Sequence, residues 1–216
     1  MINNIFPKIH KEGHKFLAIS ILITFFGLFI SKGLGLILVI ITIWVYYFFR
    51  DPDRISINDD KFLVSPADGL ISNISEVSGP AELRLENKTY TRVSIFMNVF
   101  NCHVNRIPVS GTVEDIVYKP GKFLNASLDK ASDENERNYY KIKTKDNGDE
   151  IIVVQIAGLI ARRIVSEVKK DQMLRQGEKL GMIRFGSRVD IYFNNRKLLA
   201  KTGQNTVAGE SLIAGL

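Results

Sequence analysis

Two apolar runs near the N-terminus, Phe16 to Ile30 and Leu34 to Phe49, are divided only by Ser31-Lys32-Gly33 and constrain this chain more than any other feature. At ~1.5 Å per helical residue, either run alone falls short of a ~30 Å hydrocarbon core, and one straight helix through both would be too long. A hydrophobic helical hairpin is the natural compromise, either spanning the bilayer or dipping into one leaflet. Lys8, Lys11 and Lys15 precede it and Arg50 and Arg54 follow it, so the positive-inside tendency places both ends on the cytoplasmic side of the cell (inner) membrane. Trp44, Tyr46 and Tyr47 close the second run as an interfacial aromatic anchor would. A signal peptide is the competing reading, but no small-residue cleavage site follows and a second apolar run comes at once. The expected division is a basic flank over 1–15, a membrane-anchoring hairpin over 16–50 and a soluble domain over 51–216.

The formal charge of +6 fits nucleic acid, an anionic membrane surface or an acidic substrate equally well. No RNA-binding signature or helix-turn-helix pattern accompanies it, so the membrane is the expected partner and nucleic acid is not. The single cysteine, Cys102, excludes an internal disulfide, fits a reducing compartment and reads as a packing residue.

Past Asp51-Pro52-Asp53 the pattern changes to short strands. Leu70 to Val77, Thr91 to Met97, Thr112 to Tyr118, Ile151 to Ile156, Met182 to Phe185 and Val189 to Phe193 are rich in β-branched and aromatic residues and often alternate. Gly79-Pro80, Pro120-Gly121 and Asn147-Gly148 punctuate them. Helix is expected only around Ala161 to Gln176, with a turn near Ala126 to Glu136. The fold class is therefore mainly β (α+β). Gly177-Glu178-Lys179-Leu180-Gly181-Met182-Ile183 resembles a turn-strand element of lipoyl-type barrel-sandwich domains. That likeness raises a carrier reading, with Lys130 in Leu128-Asp129-Lys130-Ala131-Ser132 as the modified lysine. Against it, Asp133-Glu134-Asn135-Glu136-Arg137-Asn138 is too polar for the return strand of a carrier hairpin.

His103 is the one histidine of the soluble domain, because His10 and His14 precede the hairpin. Any imidazole acid–base chemistry must use it, although a lone histidine is more often a structural hydrogen-bonder. Gly186-Ser187 interrupts two good strands and, taken alone, is a turn. Asp68, taken alone, is an Asx-turn residue opening the next strand. A serine hydrolase using Ser187 directly would call for a Gly-x-Ser-x-Gly elbow, which the segment lacks.

Order changes the reading. Ser65-Pro66-Ala67-Asp68-Gly69, then Asn101-Cys102-His103-Val104-Asn105-Arg106, then Asn135-Glu136-Arg137-Asn138, then Arg184-Phe185-Gly186-Ser187-Arg188-Val189-Asp190 follow one another. In series they resemble the phosphatidylserine decarboxylase proenzymes, in particular the short bacterial and archaeal branch, from about Phe62 to Gly209. The resemblance implies that the Ser187 hydroxyl attacks the Gly186 carbonyl and converts the peptide into an ester. β-Elimination then releases a large chain, 1–186, and the dehydroalanine left on the small chain, 187–216, hydrolyses to a covalent pyruvoyl group and ammonia. The implied unit is a heterodimer of these two products, with further dimerisation left open. The implied reaction condenses the substrate amine with the pyruvoyl ketone as a Schiff base, releases CO2 and yields phosphatidylethanolamine, with no metal.

The resemblance also assigns roles. Asp68 matches an aspartate that assists self-cleavage by orienting a histidine. His103 matches the first histidine of a His-x-x-His segment used in decarboxylation. The second position holds Arg106, which cannot act as a general base at neutral pH, and Asn101 stands where many relatives have aspartate. The expectation is that His103 serves both steps, oriented by Asp68 during cleavage. Arg137, Arg162, Arg163 and Arg188 are candidates for the headgroup phosphate and carboxylate, and Asp190 reads as structural. An archaeal-type ether-linked phosphoserine lipid is an alternative substrate.

Overall fold

The computed structural model describes residues 7–124, 134–146, 148–159, 163–184 and 187–216. The chain divides into two compact units, Met1–Asp53 and Arg54–Leu216.

In the first unit, helices α1 (His14–Ile30) and α2 (Lys32–Phe48) form the expected hairpin, broken where Ser31 turns to extended backbone. Small and hydroxylated residues let the helices approach. A Cβ on Gly27 would run into Leu38 and one on Gly35 into Leu28, while the Thr24 and Thr42 hydroxyls meet at 2.8 Å. The two ends are clasped together, His10 N–H donating to the Phe49 carbonyl and Asp51 N–H to that of Lys8. Most large apolar side chains of both helices, from Ile19 and Phe29 to Ile40 and Ile43, point outward. A helical segment apolar all round suits a lipid environment, and Lys11–Ile30 is long and apolar enough to cross a membrane.

The second unit is mainly β. Its strands are β1 (Phe62–Val64), β2 (Gly69–Ser78), β3 (Thr89–Met97), β4 (Val104–Arg106), β5 (Gly111–Lys119), β6 (Arg137–Thr144) and β7 (Glu150–Ala157). They continue with β8 (Arg163–Ser166), β9 (Met173–Leu174), β10 (Lys179–Arg184), β11 (Ser187–Phe193), β12 (Lys197–Leu198), β13 (Asn205–Thr206) and β14 (Leu212–Gly215). Eight make a curled half-barrel in the order β13-β2-β3-β11-β7-β6-β5-β9, and β4-β10-β8 and β1-β14-β12 make two small sheets. The core joins alternate residues of the large sheet, such as Ile95, Val153, Val189 and Ile191, to Ile183 and Leu180 of one small sheet and Leu63 and Ile213 of the other. A second cluster, with Tyr90, Tyr139, Val154 and Tyr192, covers the opposite face of the large sheet.

Two expectations are corrected. No helix runs from Ala161 to Gln176 in the described residues. Arg163–Ser166 is a strand on β10, and Asp171 takes a left-handed φ of 65° that ends any helical path. The branched pair Ile164-Val165 fits a ladder better than a helix. The stretch judged too polar for a strand also enters one, since Arg137 and Asn138 open β6, paired to both β5 and β7. Asn138 Nδ2 donates there to the Tyr140 hydroxyl at 2.6 Å and Arg137 Nη1 to that of Tyr139 at 3.3 Å. Lys130 and most of the turn near Ala126 to Glu136 lie outside the described residues.

Candidate active site

The strands before and after Gly186-Ser187 belong to different sheets. β10 pairs with β4 and β8, whereas β11 pairs with β3 and β7, so the chain changes sheets between Arg184 and Ser187. Phe185 and Gly186 themselves lie outside the described residues. Ser187 begins the central strand of the half-barrel, in register with Met97 and Ala157. Both neighbours belong to the main core, and strand alternation turns the Ser187 side chain into the same face. Ser187 is 0% exposed, and its hydroxyl has no hydrogen-bond partner among the described residues. Leaving a buried hydroxyl unpaired costs about 1–3 kcal/mol. Folding gains nothing from it there; chemistry can.

His103 is also wholly buried, in the loop between β3 and β4. Its Nδ1 lies 3.0 Å from the backbone carbonyl of Asn101. A carbonyl only accepts, so Nδ1 carries the proton and a neutral ring presents its basic lone pair at Nε2. The loop is itself braced, Asn98 N–H donating to Asn101 Oδ1 at 2.9 Å and Phe100 N–H to Asn98 Oδ1 at 2.8 Å. Asn101 thus holds the histidine through its backbone, and its side chain sets the loop.

Asp68 stands at the head of β2, at the same end of the sheet as Ser187, because Leu70 pairs with Phe96 and Ser187 with Met97. Its carboxylate receives Arg54 Nη2 at 2.8 Å and the Ala208 N–H at 2.7 Å. The following Gly69 is dictated by proximity, since a Cβ there would strike the Phe96 carbonyl oxygen. Arg106 is buried and donates to the Gly177 carbonyl at 2.8 Å. Together with Arg54, Arg175 and Lys179 it lines an open recess of about 510 Å³.

The headgroup candidates disperse. Arg188 forms a two-contact ion pair with Asp190, both N–O distances being 2.9 Å, and alternation sends both side chains to the face opposite Ser187. Arg137, in register with Ile156, shares that opposite face. Arg163 lies across from Arg184 in the β8–β10 ladder, at the end of β10 nearest position 187. Arg162 is outside the described residues.

The sequence marks Arg54 only as a flanking charge of the hairpin, not as a partner of Asp68, and does not reveal a buried polar chain on the Ser187 face. In that chain Asn138 Nδ2 donates to the Tyr140 hydroxyl, the Tyr140 hydroxyl to Gln155 Oε1 at 2.7 Å, and Gln155 Nε2 to Asn105 Oδ1 at 2.7 Å. Burial pushes the Tyr140 phenol well above its ordinary range, so it stays a hydroxyl. One signal was present: Gln155 is the lone polar residue within the apolar run Ile151 to Ala157. The Asn135-Glu136-Arg137-Asn138 segment flanks the same place, with Asn135 Nδ2 donating to the Ala157 carbonyl at 2.7 Å.

The family model described as phosphatidylserine decarboxylase matches residues 41–214. A phosphatidylserine decarboxylase proenzyme of Pelagibacter ubique (strain HTCC1062) is 65% identical over 214 residues, covering 99% of each chain. Proenzymes of the same description are 50% identical in Cereibacter sphaeroides, over 100% of this chain and 93% of that one, and in Rickettsia typhi, over 98% and 92%.

Proposed function

Because the chain belongs to the phosphatidylserine decarboxylase family, we propose that it matures by cutting itself at Gly186-Ser187, Ser187 being the residue that becomes the pyruvoyl group. Its activity is the decarboxylation of phosphatidylserine to phosphatidylethanolamine. The pyruvoyl group, when formed, supplies an electrophilic carbonyl and an electron sink for the pair released with CO2. The observation that carries the assignment to Ser187 is its buried hydroxyl, without a partner among the described residues, at the start of the central strand.

The chain's own residues do the rest. His103, held through Nδ1, offers Nε2 as the base that takes the Ser187 proton, and a protonated His103 then serves as the acid of the decarboxylation step. Asp68, fixed by Arg54 and Ala208, acts in the cleavage step, where an anchored carboxylate steadies an imidazolium. Burial keeps the Ser187 hydroxyl away from bulk solvent. The two products stay together, because β11 of the small chain is bonded on both edges to strands of the large one.

Ser187→Ala tests the assignment: the purified variant is expected to remain one chain and to release no CO2 from phosphatidylserine vesicles. A Ser187→Ala protein that still divides in two would end it. The hairpin's clasped ends and its basic flanks, Lys8, Lys11, Lys15 and Arg50, support the inner membrane with the catalytic domain cytoplasmic. A cysteine placed at Lys11 or Asp53 should then resist impermeant thiol reagents in intact spheroplasts and react after lysis. Labelling before lysis would reverse the topology. Vesicles of diacyl and of ether-linked phosphoserine lipid, compared side by side, distinguish the two substrate types.

A further inference from the structure

The buried chain of Asn138, Tyr140, Gln155 and Asn105 ends on Met97, the residue in register with Ser187. Asn105 Nδ2 contacts Met97 Sδ at 3.7 Å, and Met97 is the cross-strand neighbour of Ser187. Gln155 is two residues before Ala157, the neighbour on the other side, and so shares its face. Asn138, Tyr140, Gln155 and Asn105 are all buried. Their direction is fixed by the sulfur. Run in reverse, the same chain would point the Asn105 oxygen at a thioether, which accepts weakly and donates nothing. At the other end Asn138 leaves one amide atom without a partner among the described residues in either direction, so the Met97 end decides, and it sets the Asn105 NH2 against the sulfur of Ser187's cross-strand neighbour. Each donor in such a series is polarised by the one behind it, which strengthens the last N–H as a donor. That last donor rests on a poor acceptor. It is available.

We propose that Asn105 donates to the oxyanion formed when the Ser187 hydroxyl adds to the preceding carbonyl, with Gln155, Tyr140 and Asn138 positioning its amide. In this step the Oγ–C bond forms, the carbonyl π pair moves to oxygen and the Oγ proton passes to the base. The C–N bond then breaks and its pair leaves on the Ser187 nitrogen, which takes that proton. Asn105 carries no proton away; it stabilises charge where charge develops. The inference rests on Ser187 being the maturation nucleophile.

Two full-length variants test it, followed by cleavage time courses at neutral pH with and without hydroxylamine, which splits an ester. Asn105→Asp keeps the acceptor for Gln155 and loses the donor, so cleavage should slow ~10²–10³-fold, the usual loss for one oxyanion donor. Gln155→Met removes the clamp on the amide and should also slow cleavage. Hydroxylamine should accelerate neither, because the block precedes the ester. Wild-type cleavage rates in a folded Asn105→Asp, or a hydroxylamine-sensitive ester accumulating in it, would overturn the proposal. If Asn105→Asp does not fold, Gln155→Met decides alone, and cleavage at the wild-type rate in it overturns the positioning. A wild-type chain that does not divide at Gly186-Ser187, or a Ser187→Ala chain that does, would instead fail the underlying assignment.

Discussion

Ser187 occupies a site that packing alone would fill with alanine, between Met97 and Ala157 and out of reach of water. His103 is similarly over-determined, its ring fixed by a backbone carbonyl that settles which nitrogen is basic. His103→Ala should therefore slow self-cleavage by ~10²–10⁴-fold, the range for loss of a positioned base, as read from gel time courses. Cleavage at the normal rate would remove His103 from maturation and confine it to decarboxylation. In the sequence, motif order is what singles these two residues out. It does not reveal Arg54 as a partner of Asp68, or the Gln155–Asn105 link, because each is a contact between positions far apart in the chain, and no local pattern announces such a pair. Asn101 shows the opposite difficulty: its side chain looked like a lost aspartate, yet its main-chain oxygen does the orienting.

Six strands were readable from branched and aromatic alternation, and each exists, because half-buried sheet imposes a period of two. β6 escaped, since its polar start conceals the alternation of Tyr140, Ile142 and Thr144 with Tyr139, Lys141 and Lys143. On the outer side of this sheet, Glu150 of β7 binds Lys141 at 2.7 Å and Lys88 at 2.6 Å. Burial raises the Glu150 carboxyl, but the hydrogen bonds from Lys141 and Lys88 outweigh it and hold the group down at about 2. A depressed carboxyl contributes stability that is complete above its unfolded value of ~4.3. That stability is lost as pH falls through the folded value, about 2. Melting temperatures across this acid range should fall more steeply for the wild type than for Glu150→Gln. Parallel curves would show that the cluster does not couple to folding.

At the scale of the whole molecule, an N-terminal helix apolar enough to cross a membrane is consistent with membrane association, where a lipid substrate resides. The family match beginning at residue 41 includes part of the hairpin's second helix. The half-barrel explains how a chain cut in two remains one enzyme. The segment after Gly186 contributes the central strand of the large sheet, two strands of a small one and the edge strand β13. Such interleaving was invisible in the sequence, where Gly186-Ser187 looked like a simple turn between neighbouring strands. Intact-mass spectrometry of active protein, under native and then denaturing conditions, tests this account most directly. It predicts one assembly under native conditions that separates on denaturation into chains 1–186 and 187–216, the smaller blocked at its N-terminus. A single undivided chain in fully active protein would contradict it.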